Sequence, residues 1–159
     1  MAKSTHTYHL LLVDDSSAEL RLMQEAIKDA ELEDMVRLSY CYDGEEACEF
    51  LRTSGVMGEK IDMVLLDLNM PRLDGKNVLE YVKSTEGLAE IPVYVITNSN
   101  YRRDMMDCYN LRADGYLQKP SEFQKLVDFF TSMKQSILVR NKLSIFWIEK
   151  TLAELGGVA

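Results

Sequence analysis

Several things are missing from this chain, and each absence narrows it. No apolar run approaches the ~20 residues that a membrane-spanning helix needs. The short apolar run in MAKSTHTYHLLLVDD ends in two aspartates rather than in a small-residue cleavage site, so it does not read as a signal peptide. Cysteine is scarce: Cys41, Cys48 and Cys108 make an odd set without a CxxC pair, which indicates neither a disulfide framework nor a zinc site. His6 and His9 have no thiol or acidic cluster beside them and read as surface residues. No basic stripe is visible and the net charge is −8, which disfavours direct binding to nucleic acid. Internal repeats and low-complexity segments are absent too. The expectation is a cytoplasmic protein that touches neither nucleic acid nor membrane.

What is present suits one domain with a tail. The 159 residues are 47% hydrophobic and 28% charged, an ordinary balance for a globular chain. Tyr8 to Val13 has strand character, and Ser16 with Glu19 three residues on forms a capping-box signature, with Leu22, Ala26, Ile27 and Ala30 along the helix behind it. Val36 to Tyr42 reads as a strand, Asp43-Gly44 as a turn, Glu45 to Arg52 as a helix and Ser54 to Lys60 as a loop. Met63 to Leu66 is an apolar strand, followed by a turn at Pro71 to Gly75 and a helix through Val78, Leu79 and Val82. VYVIT after Pro92 is the fourth strand, Asn98-Ser99-Asn100 a cap cluster for the next helix, and Gly115 to Leu117 the fifth strand. Pro120-Ser121 restarts the chain as a helix through Leu126, Phe130, Met133 and Ile137. Strict β-α alternation implies an α/β fold, a parallel sheet with helices on both faces. The continuous apolar strands agree, because such strands are buried on both sides.

The polar residues at the strand ends carry the chemistry. The first strand ends in Asp14 and Asp15, the third in Asp67, the fourth in Thr97 and the fifth in Lys119. All stand at the carboxyl edge of a parallel sheet, where open α/β sheets bind ligands. Each has a plain structural explanation as a cap, a turn residue or a surface charge. Together they resist it: two carboxylates about 4 Å apart repel by roughly 4 kcal/mol at an effective dielectric of 20. A divalent cation relieves that repulsion, and carboxylate oxygens suit Mg²⁺. Aspartate can act as a nucleophile and take up a phosphoryl group as an acyl phosphate. Phosphoryl transfer needs mainly positioning and charge neutralisation, which Mg²⁺, Lys119 and Thr97 would supply. Asp67 leads as nucleophile because it sits on the central strand, while Asp14 and Asp15, one strand over, can hold the metal.

These residues resemble a known family. DD at 14–15, DLNMPRLDG at 67–75, Thr97 and YLQKP at 116–120 follow one another as in the receiver domains of two-component response regulators, with the family's offsets from Asp67. The resemblance covers roughly residues 8–139. It implies a doubly wound (βα)5 sheet of five strands in the flavodoxin-like order 2-1-3-4-5, with residues 140–159 as a short C-terminal extension. It implies Asp67 as phospho-acceptor, Asp15 as the main side-chain metal ligand, Asp14 as a metal-water ligand, Asn69 as donor of a backbone carbonyl to the metal, and Lys119 as the phosphate-binding lysine. Thr97 and Tyr116 would form the switch pair, and the Lys119-Pro120 bond would be cis. The implied partners are a sensor histidine kinase and a downstream protein target.

Departures from the family pattern add expectations. Asn98 stands where the family commonly has Ala or Gly, which predicts slow phosphoryl uptake from small donors. Asn69 and Ser99 flank the path of the hydrolytic water and should set phosphate lifetime. The long 54–60 loop, CYNL at 108–111 and a tail containing Phe146-Trp147 resemble the small regulators that partner bacterial phytochromes, so the kinase could be of that type. Residues 140–159 are too short for a winged helix or an enzyme domain, so a stand-alone receiver is expected. Leu143, Phe146, Trp147 and Leu152 lie at near-helical spacing, suited either to packing on the domain or to a homodimer through the last helix and the extension. Two rival classes remain in view: an Asp-nucleophile phosphohydrolase, against which Asn69 occupies the usual place of the general acid, and a receiver-like binding module without phosphorylation.

Overall fold

The computed structural model describes residues 6–140, and the readings of the extension beyond them fall outside the described residues. Ten elements alternate: β1 (Tyr8–Val13), α1 (Ser17–Asp29), β2 (Val36–Cys41), α2 (Gly44–Val56), β3 (Met63–Leu66), α3 (Gly75–Ser84), β4 (Val93–Thr97), α4 (Arg102–Asn110), β5 (Gly115–Gln118) and α5 (Phe123–Arg140). The sheet has five strands in the order β2-β1-β3-β4-β5, with every pair parallel. The chain thus winds one way from β1 to β2 and the other way from β3 onward, and the switch falls between β1 and β3.

Side-chain alternation divides the core in two. Leu10, Leu12, Met63, Leu65 and Ile96 face α1 and α5, meeting Met23, Ala26, Ile27, Phe129 and Phe130. Leu11, Val13, Val64, Leu66 and Val95 face α2, α3 and α4, meeting Ala47, Leu51, Val78, Leu79, Val82 and Cys108. The central strands β1, β3 and β4 are mostly apolar and buried throughout because both faces are covered.

Local differences from the sequence reading have physical causes. The α1 face is Leu20, Met23, Ala26 and Ile27, whereas Leu22 is exposed, one position off the buried stripe. Ser54 and Gly55 belong to α2 rather than to a loop. The helix runs on until Gly58, whose φ of 74° only glycine adopts cheaply. There Glu59 N–H bonds the Ser54 carbonyl at 2.9 Å and Gly58 N–H the Gly55 carbonyl at 3.3 Å, a Schellman stop. The Asn98-Ser99-Asn100 cluster does not cap α4; Tyr101 is its N-cap residue and makes no side-chain cap bond. α5 begins at Phe123, two residues after the expected restart. His9 is buried in β1, with Nε2 2.7 Å from the Ser39 hydroxyl, so it is not the surface residue its isolation suggested. Burial first, then the Arg37 charge, hold its pKa below the ordinary histidine value.

Candidate functional site

Three of the candidate residues are placed by the sheet itself. Past the last strand residue, Asp14 N–H still bonds the Cys41 carbonyl at 3.1 Å, Asp67 N–H the Val13 carbonyl at 2.9 Å, and Lys119 N–H the Thr97 carbonyl at 2.7 Å. Each side chain is therefore fixed by one ladder bond at the carboxyl edge, where the apolar run stops and a polar group can face outward. The turn after β3 is compressed to keep that edge clear. Gly75 N–H bonds the Leu68 carbonyl at 2.9 Å, and a Cβ on Gly75 would stand 2.2 Å from the Asp67 carbonyl oxygen, so only glycine fits.

Asp14, Asp15 and Asp67 each offer one carboxylate oxygen within 4.8 Å of the others. Asp14 and Asp67 are buried and Asp15 is exposed. Lys119 Nζ lies among the acids, 2.6 Å from Asp14 Oδ2, 3.7 Å from Asp67 Oδ2 and 3.8 Å from Glu19 Oε2. Burial is the largest influence on Asp67 and raises its pKa above the ordinary aspartate value; the Asp14 charge adds to it, while Lys119, the Thr97 hydroxyl and the Asn69 amide oppose it. For Lys119 burial alone would lower the pKa. The bond to Asp14 and the charges of Asp67, Asp14 and Glu19 outweigh it, so the ammonium form is held. Three acids against one lysine leave negative charge over, and an oxygen donor set of this kind fits a hard divalent cation.

Thr97 is fully buried, and its hydroxyl accepts Ser99 N–H at 3.3 Å on the side of the Asp67 carboxylate, whose ionised form it favours. Tyr116 is turned inward, and its hydroxyl donates to the Ser99 carbonyl at 3.0 Å. Asn69 and Asn98 are exposed at the rim, and the Asn69 N–H points to Asp67. The Ser99 hydroxyl donates to Asp104 Oδ2 and accepts Tyr101 N–H at 3.3 Å. One expectation is corrected. The Lys119-Pro120 bond is trans, as are all peptide bonds of the described residues; the two isomers of an X-Pro bond differ by only about 0.5–1 kcal/mol, so the motif alone does not select one.

The sequence reading missed Glu19 and Lys76. Glu19 was seen only as half of a capping box. Lys76 follows the turn glycine and bridges to Asp104 at 2.6 Å and Asp107 at 2.9 Å, tying α3 to α4. A cavity of about 350 Å³ lies beside the site, lined by Leu68, Asn69, Met70, Asp74, Lys76 and Asp104. A larger one, about 790 Å³, opens at the opposite edge of the sheet around Leu51, Asp62 and Pro92, far from the acids. The chemistry, rather than the larger volume, marks the site.

A doubly wound sheet with acids and a lysine at its carboxyl edge is the arrangement expected of a receiver domain, a family of signalling proteins. The response regulator receiver domain family matches residues 10–131, and the chain belongs to that family. It is similar to response regulator Rcp1 of Synechocystis, with 36% identity over 88% of each chain. Its fold is similar to that of the phosphorylated cyanobacterial phytochrome response regulator RcpA, with a TM-score of 0.75 and 30% identity over 88% of this chain and 99% of that one. It also resembles the Mn(2+)-bound form of Rcp1, with a TM-score of 0.70 and 32% identity over 89% of this chain and 95% of that one.

Proposed function

We propose that Asp67 accepts a phosphoryl group from a sensor histidine kinase and that the acyl phosphate switches a protein-protein contact. The supporting observation is the lodging of Lys119 Nζ between Asp14 and Asp67, 2.6 and 3.7 Å away, in a cluster with surplus negative charge. In the reaction an Asp67 oxygen bonds to phosphorus as the bond from phosphorus to the kinase histidine nitrogen breaks, and the electron pair leaves with the imidazole. Lys119 can turn from Asp14 to a phosphoryl oxygen, and the Thr97 hydroxyl can donate to another. Asp14, Asp15 and Asp67, with the Asn69 carbonyl, would hold Mg²⁺, which supplies further neutralisation of the phosphoryl oxygens. Asn98, at the rim, would narrow access to Asp67, and Asn69, Ser99 and Pro120 would modulate phosphate lifetime. The inward Tyr116 would report the state of Thr97 through the Ser99 backbone, to which both bond. Similarity to RcpA and Rcp1 supports a phytochrome-type kinase as the donor. The downstream partner is a protein, and a homodimer through α5 and the extension is a candidate form of the switch.

Incubation with a phosphorylated histidine kinase and Mg²⁺ tests this reading. A hydroxylamine-labile label should form on the wild type and be absent from Asp67→Asn. A label that survives this substitution, or that forms equally well without a divalent cation, would favour a bare binding module or another acceptor.

A further inference from the structure

Ser16 and Glu19 have the sequence of a capping box, in which the glutamate should turn back to the N-cap amide. Only half of it forms. Glu19 N–H bonds the Ser16 hydroxyl at 3.2 Å, but Ser16 N–H is taken by Asp14 Oδ1 at 2.9 Å. The Asp14 carboxylate thus does two tasks, capping α1 through one oxygen and holding Lys119 through the other. Glu19 is left without its capping duty. Its carboxylate turns to Lys119 Nζ, 3.8 Å away, and remains partly open to solvent. Lys119 therefore stands between Asp67 on its buried side and Glu19 on its open side.

We propose that Glu19 is a positioning residue for phosphoryl uptake: released from the helix cap, it draws on Lys119 and sets a negative charge at the mouth of the site, which slows uptake from free anionic donors. This rests on Asp67 being the acceptor. Glu19 and Asp67 flank one ammonium at 3.8 and 3.7 Å, so a donor that reaches Asp67 comes within the Debye length of about 8 Å from Glu19. Removing the Glu19 charge has two effects of the same sign. Repulsion of the donor falls, and Lys119 is freer to meet the phosphoryl oxygens. Slow uptake from small donors was expected from the bulk of Asn98, but a steric block and a charge block differ in their dependence on donor charge and salt.

The test uses acetyl phosphate, a dianion near pH 7, and phosphoramidate, a monoanion, at saturating divalent cation. With acetyl phosphate an Asp67 oxygen bonds to phosphorus, the bond from phosphorus to the acetyl oxygen breaks, and acetate leaves with the electron pair. Glu19→Gln should raise the labelling rate about 3- to 7-fold with acetyl phosphate at low salt and about 2-fold with phosphoramidate, and both gains should shrink near 0.5 M salt. Glu19→Lys should go further in the same direction. The cap bond is made by the Glu19 backbone, so both variants keep it. Fluorine NMR of beryllofluoride binding supplies a readout without turnover, with tighter binding expected in Glu19→Gln. Equal gains with both donors, or gains that persist in high salt, would mean space rather than charge and would overturn the proposal, as would an unchanged rate. A wild type that takes no label from any donor overturns the Asp67 reading itself, and this inference with it.

Discussion

Two lysines at opposite edges of the sheet have nearly the same burial and very different company. The Lys83 side chain is 9% exposed and that of Lys119 8%. Lys83, on α3, donates to the carbonyls of Ile91 at 2.9 Å and Ala89 at 3.4 Å and to the Asp114 carboxylate at 2.9 Å. One positive charge meets one negative charge, and all three ammonium hydrogens have acceptors. Asp114 in turn receives Val93 N–H at 2.8 Å, so the arrangement pins the start of β4. Lys119 makes one short bond, to Asp14, and has two further carboxylates just beyond hydrogen-bond range. Burial therefore does not distinguish a structural lysine from a functional one; the local charge balance does. A satisfied lysine holds elements together, and one surrounded by surplus acid has other partners to turn to, as the proposed phosphoryl transfer requires.

Substitution should separate the two most strongly at the phosphoryl site. Lys119→Met should lower labelling of Asp67 by about 100-fold, the usual effect of removing one preorganised charge from a reacting oxygen. It should also leave Asp14 and Asp67 facing each other, a loss of stability that added Mg²⁺ restores. Lys83→Met should do the reverse. It should cost about 2–3 kcal/mol, because two carbonyls and part of a buried charge lose their partner, while the label per folded molecule stays near that of the wild type. Urea unfolding with and without Mg²⁺, run beside labelling, checks both. If Mg²⁺ restores the two variants equally, the distinction fails.

A smaller effect of opposite sign is expected at Asp67. Its pKa is raised in the folded protein, first by burial, so its ionised form opposes folding. The stability this carboxyl contributes is complete below the ordinary aspartate value and is lost as pH rises through the raised value. At pH 7 without a divalent cation, Asp67→Asn should therefore be more stable than the wild type. A cation at about 100 times its Kd stabilises whichever protein binds it by about 2.7 kcal/mol. That gain should favour the wild type and reverse the order. Unfolding midpoints that keep the same order with and without the cation would show that Asp67 takes no part in binding it.

Much of this was legible because the site stands where apolar runs stop. Asp14, Asp67 and Lys119 each follow, and Thr97 ends, a strand that the composition marks, and the fold needs only those strands in parallel to bring the residues together. Glu19 was misread for a different reason. Its capping-box spacing is genuine, but Asp14, two residues before Ser16, competes for the same N–H, and no pattern within one helix records a competitor from the strand before it. His9 was misread because one polar residue in an apolar strand does not reveal whether its neighbour strand offers a hydroxyl; here Ser39 on β2, two residues beyond the register partner Arg37, does. Ser99 looked like a cap and a rim residue. Its actual partner, Asp104, is already paired with Lys76 from α3, a contact between helices that spacing along the chain cannot foresee.

Lys76 is the intermediate case between the two edges, and the smallest effect follows from it. It is partly buried and meets two carboxylates of α4, Asp104 at 2.6 Å and Asp107 at 2.9 Å. Hydrogen bonding from Lys76, then from Ser99, holds the Asp104 pKa below the ordinary aspartate value. A depressed carboxyl contributes its stability fully above the unfolded value of about 3.9 and loses it as pH falls through the lower folded value. Lys76→Met should therefore cost under about 1 kcal/mol at pH 6, as partly screened pairs do. The difference from the wild type should shrink as the pH is lowered below about 4. A difference that stays constant from pH 6 to pH 3 would mean that Lys76 contributes packing alone. The bridge also bears on the switch, since Asp104 receives the Ser99 hydroxyl and the Ser99 carbonyl receives Tyr116. If the bridge acts as charge, loosening it should free Tyr116 to turn outward, visible as a rise in the reactivity of its phenol larger than the small loss of global stability accounts for. Lys76 would then share with Lys119 the property that Lys83 lacks: its partners are also the partners of something that can move.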